Sequence, residues 1–349
     1  MATSVERARV TVYTVAEHAG VSVATVSRVF QEPHLVREVT RTKVLQAVED
    51  LDYVPHGAAR SLASSQHEAH GLVLPELGGP YYSELLMGYE SVAAEAGHSV
   101  ILLLTEGKSN LDLQLRRMAG NVDGMVLMGP LGMSISALAA LARRVPMLGL
   151  TGLSDDGYES FATENRASAE QLTRHLLGHG RRRLAFVGSP EKARDVRERY
   201  EGFVAAHDGV PCAEPIRAEL REQEGRRVAE LILNGAIDMD VDALVCANDE
   251  LALAVLDRLT DGGVDVPGDI AVVGWDDVMT ARYVRPPLTT VAQPVRDLGA
   301  AAAVRMRELI SGAPSTREEH TLPTTLVIRE SCGCPAGRPS PQPTPEEKE

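Results

Sequence analysis

The chain has little cysteine, few aromatic residues and no long apolar run. Only four of its 349 residues are Cys and 4% are aromatic. Four cysteines imply no disulfide framework and suit a reducing compartment. The longest apolar stretches, such as residues 100–104, fall far short of the ~18 residues that a membrane span needs. The N-terminus lacks an apolar secretion signal, so we expect a cytoplasmic protein with no membrane partner.

The chain also lacks the excess of positive charge that is typical of nucleic-acid-binding proteins. Its net charge is −14. Residues 1–66 contribute none of it, because their seven basic and seven acidic side chains cancel: Arg7, Arg9, Arg28, Arg37, Arg41, Lys43 and Arg60 against Glu6, Glu17, Glu32, Glu38, Glu49, Asp50 and Asp52. A neutral head can bind phosphates if its cations share one face, and an acidic body disfavours nonspecific DNA binding. Charge therefore neither establishes nor excludes DNA binding.

The larger part of the chain, after residue 65, alternates short apolar segments with helical ones. The predicted strands are 71–75, 99–104, 124–128, 145–149, 184–188, 243–247 and 270–274, and helices are predicted at 83–96, 167–177, 252–259 and 295–310. Buried strands separated by helices indicate doubly wound parallel sheets. Roughly 265 residues suffice for two such lobes, with a ligand expected between them at the carboxyl ends of the strands.

The first fifty residues predict a helix-turn-helix unit. Thr11 or Thr14 can cap its first helix, and Thr14 with Glu17 matches a capping box. Gly20 stands where the turn between the helices favours positive φ, and Ser22 is the natural N-cap of the second helix.

The second helix has the composition of a DNA-reading helix. Val26, Val29 and Phe30 share the face that is expected to pack inward. The predicted DNA-binding residues on the other face are Ser22, Val23, Ala24, Thr25, Ser27 and Arg28. Arg28 can form a bidentate contact to guanine and the small apolar pair can meet thymine methyl groups, whereas the hydroxyl groups suit phosphates. A structural three-helix unit without DNA contacts is the alternative.

Residues 12–64 resemble the headpiece and hinge of the lac and gal repressor family. The motifs are ValAla (15–16), AlaGlyValSer (19–22), ThrValSerArgVal (25–29), ThrArgThrLysVal (40–44), LeuAspTyrValPro (51–55) and AlaArgSerLeuAla (59–63). In that family the hinge folds into a short helix on the operator, and paired leucines enter the minor groove at a central base step. The resemblance implies a hinge helix at about 54–64, with Leu62 as the wedge and Ala59 beside it.

This head departs from the family pattern at several positions. Gln31 and His56 stand where the family usually has Asn, and both are expected to contact DNA. Arg37 replaces a capping Ser or Thr and weakens the start of the third helix.

The body is similar to the same family almost throughout. Its matching segments are 178–188, 197–203, 248–253, 266–277, 287–291 and 326–332. The resemblance implies a periplasmic-binding-protein-like core whose cleft residues are Tyr81, Tyr82, Arg199, Leu220, Asn248, Trp275 and Asp276. Carboxylate, amide and guanidinium groups can bind paired hydroxyls while aromatic rings stack on a sugar, which suits a sugar or glycoside effector.

The predicted domains are a headpiece with its hinge (1–66), a two-lobed core for ligand binding and dimerisation (67–331) and a disordered proline-rich tail (332–349). Cys332 and Cys334 form a lone CxC motif without a second ligand pair, so we interpret them as incidental thiols and expect neither metal nor cofactor. Gly107-Lys-Ser lacks the first glycine of a phosphate loop, and no nucleophile elbow is present, so no enzyme is predicted.

The sequence thus predicts a cytoplasmic homodimer that represses transcription from a pseudo-palindromic operator. A small effector, acting as inducer or corepressor, would alter whether the two hinges fold together on DNA. The alternative is a solute-binding protein of a transporter, which the DNA-reading head and the missing signal peptide disfavour.

Overall fold

A computed structural model describes residues 10–53, 66–129, 131–151, 158–210, 212–237 and 241–335. His56, Ala59 and Leu62, and with them the predicted hinge helix, lie outside these residues, as does the side chain of Gln31. The chain divides into two compact units, residues 1–69 with 120–123, and residues 70–119 with 124–349.

The described residues of the first unit contain three α-helices, α1 (Val12–Ala19), α2 (Val23–Gln31) and α3 (Glu38–Asp50). Their buried faces, with Tyr53 after α3, form one small core, made of Val15, Ala16, Val26, Val29, Val44, Ala47 and Tyr53. Phe30 packs against this core at its margin, as its position on the helix predicts. Gly20 ends α1 with φ 68°, which confirms the tight turn between α1 and α2.

The helix caps confirm one expectation and correct another. Ser22 caps α2, since its hydroxyl accepts a hydrogen bond from the Thr25 amide at 3.2 Å. Thr11, not Thr14, is the N-cap of α1, and Thr14 Oγ1 accepts from the Thr11 amide at 2.8 Å. The predicted Thr14–Glu17 capping box is therefore wrong, because the helix begins three residues earlier than that pattern requires. Arg37 precedes α3 without a side-chain cap among the described residues.

The second unit begins with an N-terminal lobe built on a six-stranded sheet of order β10-β5-β4-β3-β1-β2. Its strands are β1 (Ala69–Leu74), β2 (Ser99–Leu104), β3 (Gly124–Met128), β4 (Met147–Leu150), β5 (Ser160–Thr163) and β10 (Glu319–Leu322). Its helices are α4 (Gly79–Glu95), α5 (Leu111–Met118), α6 (Ile135–Ala142) and α11 (Val295–Ile310). Strands β1, β3 and β4 are buried along their whole length, as expected for a parallel sheet covered by helices.

Helices α4 and α11 of this lobe approach each other closely at two glycines. A Cβ at Gly88 would lie 1.9 Å from the carbonyl oxygen of Arg296, and one at Gly299 would lie 2.2 Å from that of Leu85. Any side chain at these positions would force the helices apart. Glycine therefore sets the packing distance between the two helices.

The C-terminal lobe contains a parallel sheet of order β6-β7-β8 and an antiparallel pair, β9 with β11. Its strands are β6 (Leu184–Val187), β7 (Ala243–Cys246), β8 (Ala271–Val273), β9 (Thr290–Ala292) and β11 (Thr325–Val327). Its helices are α7 (Arg166–Gly178), α8 (Arg194–Ala205), α9 (Glu222–Leu233) and α10 (Asp249–Asp261). The chain crosses between the lobes after β5, before α11 and between β10 and β11. Each of the seven predicted strands is confirmed, and the two-lobed fold is that expected.

The tail begins later than predicted. Cys332 is fully buried and Cys334 is 7% exposed, and both belong to the hydrophobic core of the C-terminal lobe. The start of the tail at residue 332 is therefore wrong, because these side chains fold back onto α7 after β11. Their partners there are described below.

A DNA-reading helix and an effector cleft

Helix α2 presents a small, polar outer face. Ser22, Ala24 and Arg28 are exposed, and Thr25 and Ser27 are half-buried. Val23 is also half-buried and packs against the headpiece core. Of the predicted apolar pair, Ala24 is therefore the better placed to contact a base. Arg28 is the one cation in the α2 sequence, and its exposure leaves the guanidinium accessible to DNA.

The predicted effector residues come from several strands and helices and lie close together near the segments where the chain crosses between the lobes. Tyr81 and Tyr82 stand in the first turn of α4 with their rings at 87° and 5.5 Å apart. Arg199 comes from α8, and Asp276 follows β8. Both tyrosines, Arg199, Leu220, Asn248 and Asp276 line one cavity of about 80 Å³. A sugar-sized ligand needs at least about 300 Å³, so binding requires the lobes or their side chains to move apart.

Arg199 is held in place by the protein itself. It is 4% exposed, and its side chain donates to Asn165 Oδ1 at 2.9 Å, to the Ala247 carbonyl at 2.7 Å and to Asp195 Oδ2 at 3.4 Å. These bonds use three of the five N–H donors of a guanidinium. The guanidinium group that was predicted to bind a ligand therefore uses part of its donors to orient Arg199. Its other N–H donors make no hydrogen bond to a described residue.

Trp275 lies behind Arg199 rather than on the wall of the cavity. The guanidinium carbon sits 4.6 Å from the centre of its ring, and the side chain is only 2% exposed. The predicted stacking of Trp275 on a sugar is therefore corrected, because Arg199 covers the ring. Its indole Nε1 is buried and finds no hydrogen-bond partner among the described residues. An unpaired buried donor costs about 1–3 kcal/mol.

Asn248 has a structural role in addition to the predicted one. Its Oδ1 accepts from the Leu251 amide at 3.1 Å and so caps α10, while its Nδ2 donates to the Leu220 carbonyl at 3.3 Å. The amide lines the cavity but is engaged on both sides. Leu220 contributes apolar wall and this backbone acceptor, as its predicted wall position implies.

Asp276 has a strained backbone and a strongly perturbed carboxyl group. Its φ is 118°, a conformation that costs about 1–3 kcal/mol for a non-glycine residue. Its carboxylate accepts from Gln293 Nε2 at 2.5 Å. Burial raises the pKa of Asp276 to about 7. The charge of Arg199 and the hydrogen bond from Gln293 lower this pKa, whereas the charges of Asp195 and Glu250 raise it. The carboxyl is therefore close to half ionised at neutral pH.

The sequence did not single out most of the acidic lining. Glu76, Asp195 and Glu250 join Asp276 around one cation, Arg199. Burial raises the pKa values of Glu76 and Glu250, and it does so for Tyr81 and Tyr82 as well. Glu76 and Glu250 follow strands β1 and β7, so the rule that ligands bind at the carboxyl ends of strands could have found them. The lining thus contributes four carboxyl groups and one guanidinium, with Arg221 close to Glu76, and this excess of acidic groups disfavours an anionic ligand.

A salt bridge joins the two lobes beside this cavity. Arg221, in the C-terminal lobe, contacts Glu76 at 3.5 Å and hydrogen-bonds to Glu106, both in the N-terminal lobe. All three side chains are partly exposed, so the bridge contributes little to stability. It must change if the lobes separate to admit a ligand.

Two family models match the chain. Residues 11–56 match that of bacterial regulatory proteins of the lacI family, and residues 173–332 match that of a periplasmic binding protein-like domain. The chain is 31% identical over 336 residues to the transcriptional regulator GalR of Escherichia coli (strain K12), covering 93% of this chain and 96% of that one. The chain belongs to the lacI family. This lacI-family chain is thus a helix-turn-helix DNA-binding transcriptional regulator, and the comparisons give the transporter alternative no support.

Solved structures match the fold of this lacI-family regulator over nearly its whole length. The lac repressor dimer bound to operator and the anti-inducer ONPF has a TM-score of 0.79 at 29% identity, covering 93% of this chain and 99% of that one. The regulator CelR in complex with cellobiose has a TM-score of 0.69 at 28% identity, covering 93% and 100%. In the described part of this chain, no helix is both long enough and apolar enough to span a bilayer.

Proposed function

We propose that this regulator is a cytoplasmic repressor that binds a pseudo-palindromic operator as a homodimer and releases or holds it in response to a neutral polyol. One observation carries the proposal: the same chain contains both an exposed face of α2 and a two-lobed core with a polar cleft. The exposed face of α2 can read bases, and the cleft can bind a small molecule.

The DNA contacts are assigned by position. Arg28 and Ala24 contact base edges. The hydroxyl groups of Ser22, Thr25 and Ser27 bind phosphates or cap the helix. Val23 packs at the margin of the headpiece core. Gln31, His56, Ala59 and Leu62 are proposed to add phosphate contacts and the minor-groove wedge. The lac repressor structure, a dimer on its operator, supports the same arrangement here.

The second copy of the chain is proposed to bind at the N-terminal lobe. Strand β2 lies at the edge of the sheet, and its Ile101 and Leu102 are exposed, as are Met87 on α4 and Leu113 on α5. Exposed apolar side chains at an unpaired sheet edge favour burial against another surface. Dimerisation there would bring two α2 helices onto successive major grooves.

The effector is proposed to be an uncharged sugar or glycoside. Carboxylates such as Asp276 accept hydrogen bonds from sugar hydroxyls, whereas four acidic groups in the lining repel a phosphate or a carboxylate. The regulator CelR, whose fold is similar, has been solved in complex with cellobiose. The cavity holds only about 80 Å³, so a ligand must displace its lining. A movement of one lobe against the other is the displacement that would reach the operator site.

The DNA-binding proposal is tested by selecting binding sites from a random double-stranded DNA pool with the full chain. We expect a pseudo-palindromic site. Arg28→Ala should then bind it more weakly by about 1–3 kcal/mol and lose base preference at one position of each half-site. Lys43→Ala, which removes the same charge from the exposed side of α3, should weaken all sequences about equally. Selection of no palindrome, or unchanged preference in Arg28→Ala, would contradict the proposal.

The effector proposal is tested by thermal shift. Neutral mono- and disaccharides are compared with their phosphorylated counterparts. We expect a stabilising neutral sugar whose phosphate ester gives no shift, and the same sugar should change operator affinity in fluorescence anisotropy. Stabilisation by the phosphorylated set alone would refute the assignment of an uncharged ligand.

A further inference from the structure

A cluster of two histidines and two cysteines lies outside the effector cleft, in the C-terminal lobe. His175 stands in the last turn of α7 and His179 follows as its C-cap, one helical turn further on. Cys332 and Cys334 lie after β11, in the segment that folds back onto this helix. His175 Nε2 lies 3.3 Å from Cys332 Sγ, and His179 Nε2 lies 3.1 Å from Cys334 Sγ. The four potential ligand atoms all lie within 4.8 Å of one another.

These distances fit a tetrahedral metal ion. Zinc binds sulfur at about 2.3 Å and nitrogen at about 2.0 Å, so a tetrahedron places the two kinds of ligand about 3.5 Å apart. The observed sulfur-to-nitrogen distances are 3.1, 3.3 and 3.6 Å. Two thiolates and two imidazoles form a closed ligand set without an open position, which is the pattern of structural zinc sites.

The local backbone is arranged to bring these four side chains together. Residues four apart on a helix share a face, which is where His175 and His179 lie. Gly333 separates the two cysteines and has φ 102°, a conformation that side chains disfavour, so glycine permits the tight turn between them. Thr289 Oγ1 donates a hydrogen bond to Cys332 Sγ at 3.2 Å, which would stabilise a thiolate there.

Packing alone gives a competing explanation, because the Cys332 thiol also lies 3.3 Å from the Arg329 carbonyl and can donate to it.

We propose that His175, His179, Cys332 and Cys334 bind one zinc ion, which fastens the C-terminal segment of the chain to α7. The site is structural, since all four positions of a tetrahedron are taken by protein atoms. At the other end of α7 the N-cap residue is Asn165, whose side-chain oxygen accepts a hydrogen bond from Arg199 in the cleft. The helix spans about 20 Å between the two sites, so the metal holds the helix that positions Arg199 without touching the effector.

The test begins with metal analysis of the full chain, purified under reducing conditions from zinc-supplemented cells. We expect about one zinc per chain in the wild type and in the controls Cys212→Ser and His207→Asn, which change the same residue types elsewhere in the lobe. We expect marked loss in Cys334→Ser and in His179→Asn. Far-UV circular dichroism establishes that each variant is folded. Zinc contents that do not differ between the cluster variants and the controls would overturn the proposal.

A second measurement uses the wild type alone and so does not depend on folded variants. Chelated protein is titrated with Co²⁺ under reducing conditions. Tetrahedral thiolate coordination should produce intense visible d–d bands and a near-ultraviolet charge-transfer band, and zinc should abolish both. Zinc should also raise the melting temperature of the chelated protein. Absence of these bands, or octahedral cobalt spectra alone, would overturn the proposal, as would a Cys332–Cys334 disulfide that persists under these reducing conditions.

Discussion

Glu159 offers a stringent test of how the N-terminal lobe is held together. The carboxylate precedes β5 and is fully buried. Arg305 of α11 donates to both its oxygens, at 2.5 and 3.1 Å, while the Thr316 amide and His320 Nε2 lie 3.1 and 3.0 Å away. One side chain thus joins β5, α11 and the segment leading into β10.

We expect Glu159→Gln to reduce the free energy of unfolding by about 3 kcal/mol. Removing one partner of a buried ion pair costs about 3–5 kcal/mol, because the other charge remains without compensation. The Arg305 side chain is 17% exposed and keeps Glu308 at 2.6 Å, which places the loss at the lower end of that range. Urea denaturation followed by circular dichroism measures the loss, and hydrogen exchange of β5 and β10 peptides locates it.

Glu308→Gln is the matched control. It makes the same chemical change next to the same arginine, but Glu308 is half exposed, so the loss should stay below about 0.5 kcal/mol. Equal losses in the two variants, or a Glu159→Gln loss below about 0.5 kcal/mol, would refute the argument.

The same residue predicts a pH dependence with a definite sign. Burial alone would raise the pKa of Glu159, but hydrogen bonds from Arg305, the Thr316 amide and His320 outweigh it and lower the pKa from 4.5 to about 2. A lowered folded-state pKa contributes stability that is complete above about pH 4.5 and is lost as the pH falls towards 2. The stability difference between wild type and Glu159→Gln should therefore shrink over that interval.

Three further predictions concern function. Leu62→Ala should weaken binding to the selected operator in salt-matched anisotropy and leave sugar binding intact, and unchanged operator affinity would remove the wedge role. Asp276→Asn should weaken effector binding and abolish its pH dependence. In the wild type, calorimetry should show affinity falling about tenfold from pH 8 to 6, because the ionised fraction of a carboxyl with pKa about 7 drops by that factor. Arg199→Lys keeps the charge but loses the planar guanidinium group that donates hydrogen bonds to Asn165 and to the Ala247 carbonyl. We expect the free energy of unfolding in urea to fall by about 1–3 kcal/mol and the effector response to be lost. A normal response would exclude Arg199 from the site.

The strands that the sequence predicted share a physical property. Segments such as 124–128 and 243–247 are continuous apolar runs because their strands are covered on both faces. The strands that the sequence did not predict, β5, β9, β10 and β11, are three or four residues long, and each contains at least one polar residue. These strands pair with partners that are far away in the chain, as Glu319 does with Ser160. A local sequence pattern cannot predict such pairing.

The sequence did not bring the four residues of the proposed zinc site together, for a similar reason. His175 and His179 have the i, i+4 spacing of metal ligands on a helix, but only His175 lies within the predicted helix 167–177. Cys332 and Cys334, in contrast, were assigned to the tail, since nothing nearby in sequence shows that they fold back over 150 residues. Only the packing of the C-terminal segment against α7 joins the two halves.

The sequence by itself determined the helix-turn-helix head, the inward face of α2 and the existence of two α/β lobes, because helix caps and hydrophobic periodicity are local properties. The resemblance to the family also supplied the candidate effector residues, six of which line one cavity. Tertiary structure alone decided what each of them does. Arg199 covers Trp275, Asn248 caps α10, and burial among acidic neighbours brings the pKa of Asp276 to about 7. Such roles depend on distances between groups remote in the chain, on burial and on local charge, all of which arise only when the chain is folded.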